Sequence, residues 1–251
     1  MQRKPLPKPA PPPRHGVARV LSKAGLCSRT QAAAWVREGR VAVNGRITRD
    51  PEQPVRGGVD RVTVDGRGLE ASERVYLALN KPRGLVTTAS DEKGRDTVYA
   101  CLADAGLPWL APVGRLDQAS EGLLLMSNDP AWAAAITDPD TGPDKTYHVQ
   151  VDAIPDDALL ARLRAGVVDE GEPLAAKSAT LLRSGTRNAW LEIVLDEGRN
   201  RQIRRLLAAH GLGVLRLVRV AIGPVALGEL AKGQWRHLTP AEVAGLAPAT
   251  P

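Results

Sequence analysis

The run Gly114-Arg115-Leu116-Asp117-Gln118-Ala119-Ser120-Glu121-Gly122 sets one carboxylate, Asp117, on a short polar loop bracketed by glycines. Leu123-Leu124-Leu125-Met126 follows at once and reads as an apolar strand. A carboxylate so placed is anchored by a rigid element yet open to a ligand, which suits nucleophilic or acid–base work. An isolated turn Asp more often only solvates a connection. Lys145-Thr146-Tyr147-His148-Val149 adds a flat phenol ring on a strand, with His148 on the opposite side by alternation. The segment from Glu197 to Arg205 is strongly basic. On a helix there, Ile203, Leu206, Leu207 and His210 make one face, Arg204 sits at its margin, and Arg201 and Arg205 fall on the far side. A margin residue can reach from the core edge into a pocket, whereas Arg201 and Arg205 suit contacts to phosphates. Asn80-Lys81-Pro82-Arg83-Gly84 reads as a basic turn.

Other chemistries lack their residues. The chain has no phosphate-cradling Gly-x-x-x-x-Gly-Lys, no dinucleotide fingerprint, no metal-ligand spacing of His, and no Gly-x-Ser-x-Gly elbow. Cys27 and Cys101 are too few and too far apart for a disulfide framework or a zinc site, and read as reduced thiols of a cytoplasmic protein. No apolar run approaches the roughly 18 residues of a membrane span, and the N-terminus does not read as a secretory signal. The net charge of +6 points to a polyanionic partner, with nucleic acid the leading candidate. With five Trp, three Tyr and no Phe, a sheet surface built to stack bases is disfavoured, and the core must rest on aliphatic residues.

Residues 1–14 hold six prolines and four basic residues with no acid, so an extended, mobile tail is expected. Val17, Val20, Leu21 and Ala24 lie at helical spacing before Gly25, and Ser28 with Gln31 fits a capping box opening a second helix. Asn44-Gly45 between apolar residues signals a tight hairpin, and Val62 and Val64 alternate in a further strand. Arg19, Lys23, Arg29 and Arg40 concentrate positive charge here. Residues 66–74 read as a linker. Beyond it, strands are expected at 75–79, 85–88, 123–127, 146–151, 190–195 and 214–218, and helices near 130–136, 156–165 and 201–210. Strands and helices mix without a βαβ repeat, which indicates an α+β fold with a largely antiparallel mixed sheet flanked by helices.

Two resemblances follow. Residues 15–65, in the order helix, Gly, Ser-Arg, helix, Gly-Arg-Val-x-Val-Asn-Gly, resemble the S4 RNA-binding domain. Residues 75–245 resemble the catalytic domain of the pseudouridine synthases that act on bacterial ribosomal RNA. That likeness rests on Asn80-Lys81-Pro82-Arg83-Gly84, the Asp117 loop, Lys145-x-Tyr147, and the arginine helix, with Val218–Pro224 and Gly233–Leu238 resembling the closing strands. It implies isomerisation of a ribosomal uridine to pseudouridine, with large-subunit RNA favoured over small-subunit RNA, on a nucleotide flipped out of its stack. By the same resemblance Asp117 is the catalytic residue, Tyr147 lies against the flipped base, Arg115 fills the space it leaves, and Arg204 pairs with Asp117. A local ion pair between Arg115 and Glu121 is the alternative for that arginine. Arg19, Lys23, Arg29, Arg40, Arg201 and Arg205 are the expected RNA contacts. Neither cofactor nor metal is expected, and the partner is ribosomal RNA or an assembly intermediate, met by a monomer in the cytoplasm. Two rivals from other classes stand beside this: a binding-only assembly factor that keeps the fold, and an RNA-binding regulator built on the S4-like domain alone.

Overall fold

The computed structural model describes residues 14–57, 59–69, 73–89, 91, 93–103 and 105–246. They divide between two compact units, one ending at Glu73 and the other beginning at Arg74. The expected tail lies outside the described residues except for Arg14, which opens a short strand, Arg14–Gly16, paired with Pro54–Arg56.

In the small unit, helix Val17–Lys23 buries Val17, Ala18 and Leu21. Helix Arg29–Arg37 begins where the Ser28 hydroxyl accepts a hydrogen bond from Gln31 N, which satisfies one of the free donors of the first turn. Strands Val41–Val43 and Arg46–Thr48 join through Asn44 and Gly45, whose φ angles of 51° and 77° match the right-handed twist of a two-residue hairpin. The sheet continues through Val62–Val64 to Arg67–Gly68. Part of the stretch expected as linker is therefore the last strand of this unit.

The large unit is built on a nine-stranded mixed sheet among the described residues. Its main path runs Ser178–Ser184, Ala189–Leu195, Lys145–Val151, Val214–Ile222, Glu121–Ser127, Tyr76–Lys81, Trp235–His237. Neighbours are antiparallel except Val214–Ile222 and Glu121–Ser127, which run parallel. Helices Asp157–Ala165 and Gln202–Ala209 bury Leu160, Leu163, Ile203, Leu206 and Leu207 in one cluster, while Trp132, Ile136 and Leu246 belong to another. Glu121–Ser127 is buried along its whole length, so its leucines serve both clusters. The expected strand over 85–88 is only an isolated bridge from Val86 to Thr97, and Ser178–Ser184 is a strand the pattern did not reveal.

Gly122 fixes where the Asp117 loop enters the sheet. Its φ is 100°, and a Cβ there would collide with the backbone of Arg219 across the parallel pair. Only glycine accepts both the conformation and that approach.

Candidate active site

The Asp117 loop is held by the segment that the sequence presents as a basic turn. Lys81 ends strand Tyr76–Lys81 and is fully buried. Its Nζ donates to Ser120 O at 2.8 Å, Pro82 O at 3.0 Å and Asp117 O at 3.2 Å. Gly84 N donates to Gln118 O, Gln118 Nε2 returns a bond to Gly84 O, and the Thr87 hydroxyl both donates to Leu116 O and accepts from Leu116 N. Apart from the Gln118 side-chain bond and the one to Pro82 O, these bonds go to the loop's backbone, so they fix its path while the Asp117 side chain projects, partly exposed.

Burial pushes the Lys81 ammonium down to about 8, against the pull of the Asp117 and Glu121 carboxylates. Its folded pKa lies below the unfolded value, so between pH 8 and the ordinary lysine range the unfolded chain holds the extra proton. Stability from this group therefore rises with pH through that window. The neutral amine, however, has two N–H donors for three carbonyls. We predict that the single-turnover rate falls as pH rises through about 8 while the fold persists. Lys81→Met should be slower throughout and lack that inflection; the same inflection in both enzymes would remove Lys81 as its source.

Asp117 opens onto a cavity of about 1040 Å3. Eight cationic side chains line it against three carboxylates, Asp117, Asp138 and Glu197, an imbalance that favours a polyanion. Tyr147 lies in its wall, nearly buried, on the Lys145–Val151 strand. His148 faces the other way, its Nε2 3.4 Å from Glu192. Arg115 lines the cavity and is exposed. Its alternative partner, Glu121, is engaged elsewhere, by Arg216 at 2.5 Å and Lys232 at 2.7 Å. Burial alone would raise the Glu121 pKa; these two cations prevail and hold it at about 2.

The arginine helix requires a correction. The ion pair to Asp117 comes from Arg201, Nη1 to Oδ2 at 3.4 Å, and not from Arg204. Helical geometry misplaced Arg201 because the helix starts at Gln202, and Arg201 sits before it in the left-handed region at φ 49°, ψ 31°. The turn is clamped by the Gln202 amide, which accepts from Arg199 N and donates to Glu197 and to Ala175 O. A non-glycine residue at positive φ is uncommon, and this one stands beside the cavity. Arg204 lines the same cavity and donates to Ala119 O at 3.3 Å, while its Nε is buried with no partner among the described residues. Burial lowers its pKa, as does the neighbouring Arg201 charge, with Asp117 pulling it back up. Arg204 thus grips the Asp117 loop and feels its charge without touching its carboxylate.

Arg205 requires a second correction. It does not face solvent: its guanidinium binds Asp169 and Glu172 at 2.6 Å each, on the strands Val167–Asp169 and Glu172–Leu174. It staples the helix to that hairpin. In the small unit, Arg19 and Lys23 are exposed on one helix. Arg29 pairs with Glu52, and Arg40 pairs with Asp65 and lies 4.9 Å from the Trp35 ring centroid. Those two exposed pairs hold their arginines only weakly against a phosphate.

Comparison with known proteins places similar chains beside these features. The family model described as RNA pseudouridylate synthase matches residues 75–209, and the S4 domain model matches residues 17–60. Ribosomal large subunit pseudouridine synthase B of Bacillus subtilis is 37% identical over 228 residues, covering 90% of this chain and 92% of that protein. An uncharacterized RNA pseudouridine synthase of Aquifex aeolicus is also 37% identical, with 92% of each chain covered. A crystal structure of a pseudouridylate synthase superposes with a TM-score of 0.63 at 30% identity, over 93% of this chain and all of that one.

Proposed function

Because the chain belongs to the RNA pseudouridylate synthase family and carries an S4 domain ahead of the catalytic one, we propose that it isomerises a uridine of large-subunit ribosomal RNA, with Asp117 as its catalytic group. The supporting observation is the Asp117 loop, bonded through its backbone to Lys81, Gly84 and Thr87 and open to a cationic cavity. The large-subunit assignment draws on the name of the Bacillus subtilis relative. In the reaction the N1–C1′ bond breaks, the uracil turns within the pocket, and C5 bonds to C1′. Atoms and oxidation level are conserved, so the chemistry needs neither redox cofactor nor nucleotide. Asp117 acts as a nucleophile or as a base on the ribose. Tyr147 lies against the extruded base, and Arg115 occupies the stack it vacates. Arg204 holds the loop, and Arg201 sets the carboxylate's direction.

No described helix is long and apolar enough to cross a membrane. The proposed setting is the cytoplasm, where a monomer meets ribosomal RNA or an assembly intermediate. Pseudouridine mapping of ribosomal RNA from a strain lacking this protein tests the substrate. Loss of one large-subunit site supports it; a loss confined to small-subunit RNA, or no loss, contradicts it.

The exposed Arg19 and Lys23 make the small unit the proposed grip on phosphates. Deleting residues 1–73 should weaken RNA binding and flatten the plot of log affinity against log salt, by about 0.7 to 0.9 of a unit for each phosphate no longer neutralised. The remainder should keep its fold and a trace of activity on short RNA. An unchanged slope would relocate the grip to the large unit.

A further inference from the structure

Two further cations stand in the cavity wall. Lys145 begins the Tyr147 strand, and Arg219 lies across the ladder from Tyr147 on the neighbouring strand. Both line the cavity. Arg219 is buried: its Nε donates to Leu123 O at 2.7 Å, while its Nη2 is shut off from solvent with no partner among the described residues. Lys145 is half-buried and makes no salt bridge among the described residues. Burial lowers its pKa and the Arg219 charge lowers it further, with Asp144 and Asp196 offsetting only part. Two like charges that feel each other in a partly dry cavity wall are costly unless an acceptor enters the cavity before them.

The chemistry of the reaction supplies such an acceptor. When N1–C1′ breaks, its electron pair stays with the departing uracil, and the ring carries a negative charge spread over N1, O2 and O4. C5 then bonds to C1′, C5 loses its proton and N1 gains one. A half-turn about the N3–C6 axis brings C5 to where N1 stood and exchanges O2 with O4. A donor facing one carbonyl before the turn therefore faces the other after it, and one fixed pair of cations serves both states. We infer that Lys145 and Arg219 are the catalytic donors that receive the uracil carbonyl oxygens and hold the ring's charge between bond breaking and bond making. This rests on the proposed seating of the base against Tyr147.

The test uses the full chain with Lys145→Gln and Arg219→Gln, on large-subunit RNA transcripts made with uridine or with 4-thiouridine, whose sulfur is a poor acceptor. Each substitution should lower the single-turnover rate by roughly 10²-fold, as loss of one preorganised oxyanion donor does, with RNA affinity held within about twofold. At least one of the two losses should shrink on 4-thiouridine RNA, because the bond removed from the enzyme is already weakened in the substrate. Weaker RNA binding at an unchanged rate would make the pair a phosphate grip and overturn the proposal. Equal losses on both transcripts for both variants would also overturn it, by assigning them a purely structural effect. Arg219→Gln forfeits the bond to Leu123 O; should that variant fail to fold, Lys145→Gln decides alone. Absence of pseudouridine with the wild-type enzyme would overturn the functional reading and this proposal together. Normal wild-type turnover with unaffected variants overturns this proposal only.

Discussion

Asp117→Asn should abolish isomerisation, with a loss on the order of 10⁴-fold or more, while leaving the melting temperature and RNA affinity nearly unchanged. The two side chains share a shape, so the change removes charge and basicity and little else. The bonds that shape the loop survive it, because Lys81 Nζ and Ser120 N both reach the Asp117 backbone carbonyl. The ion pair forfeited, to Arg201 at 3.4 Å, is between side chains 52% and 39% exposed, and such pairs contribute little to stability. A fold-neutral, chemistry-specific loss is therefore expected. A rate near wild type would remove Asp117 from the mechanism.

Arg204→Ala and Arg205→Ala should fail in different ways, although the residues are adjacent. Arg204 holds Ala119 O, two residues from Asp117, and lines the cavity. Its loss should lower the rate by about 10³-fold, at the upper end for one positioned donor, with modest change in stability. Arg205 is 17% exposed in its side chain and holds Asp169 and Glu172. Its loss unfastens the helix from that hairpin, so it should lower the urea midpoint while the folded enzyme keeps most of its rate. Urea denaturation beside single-turnover rates separates the two. Equal rate losses in both variants, with folding intact, would mean they share a general phosphate-binding role.

The contrast between these neighbours bears on what the sequence disclosed. The Asp117 loop, the Ser28 cap and the Asn44-Gly45 hairpin were legible because each is local: the residues that cause the geometry lie within a few positions of it. Tyr147 and His148 were assigned to opposite faces correctly, since strand alternation needs no tertiary information. Lys81 was not legible. It closes a strand buried on both faces, and its three acceptors include carbonyls of a loop far along the chain, so nothing near it marks it as interior. The carboxylates on Arg205 come likewise from a hairpin more than thirty residues upstream. Arg201 misled for another reason: a helical wheel assumes helix, and this residue stands just outside one. Ser178–Ser184 escaped because it lies at the end of the sheet's main path, where Leu181 and Leu182 stay exposed and no alternation develops.

The central claim is that Asp117 drives exchange of the N1–C1′ bond for a C5–C1′ bond, and that exchange expels the hydrogen on C5. Ribosomal RNA transcribed with uridine tritiated at C5 therefore reports it directly. On incubation with the full chain, tritium should enter water until about one equivalent per large-subunit RNA is released, and Asp117→Asn should release none. Release by both proteins alike, or by neither from any ribosomal RNA, would contradict the account.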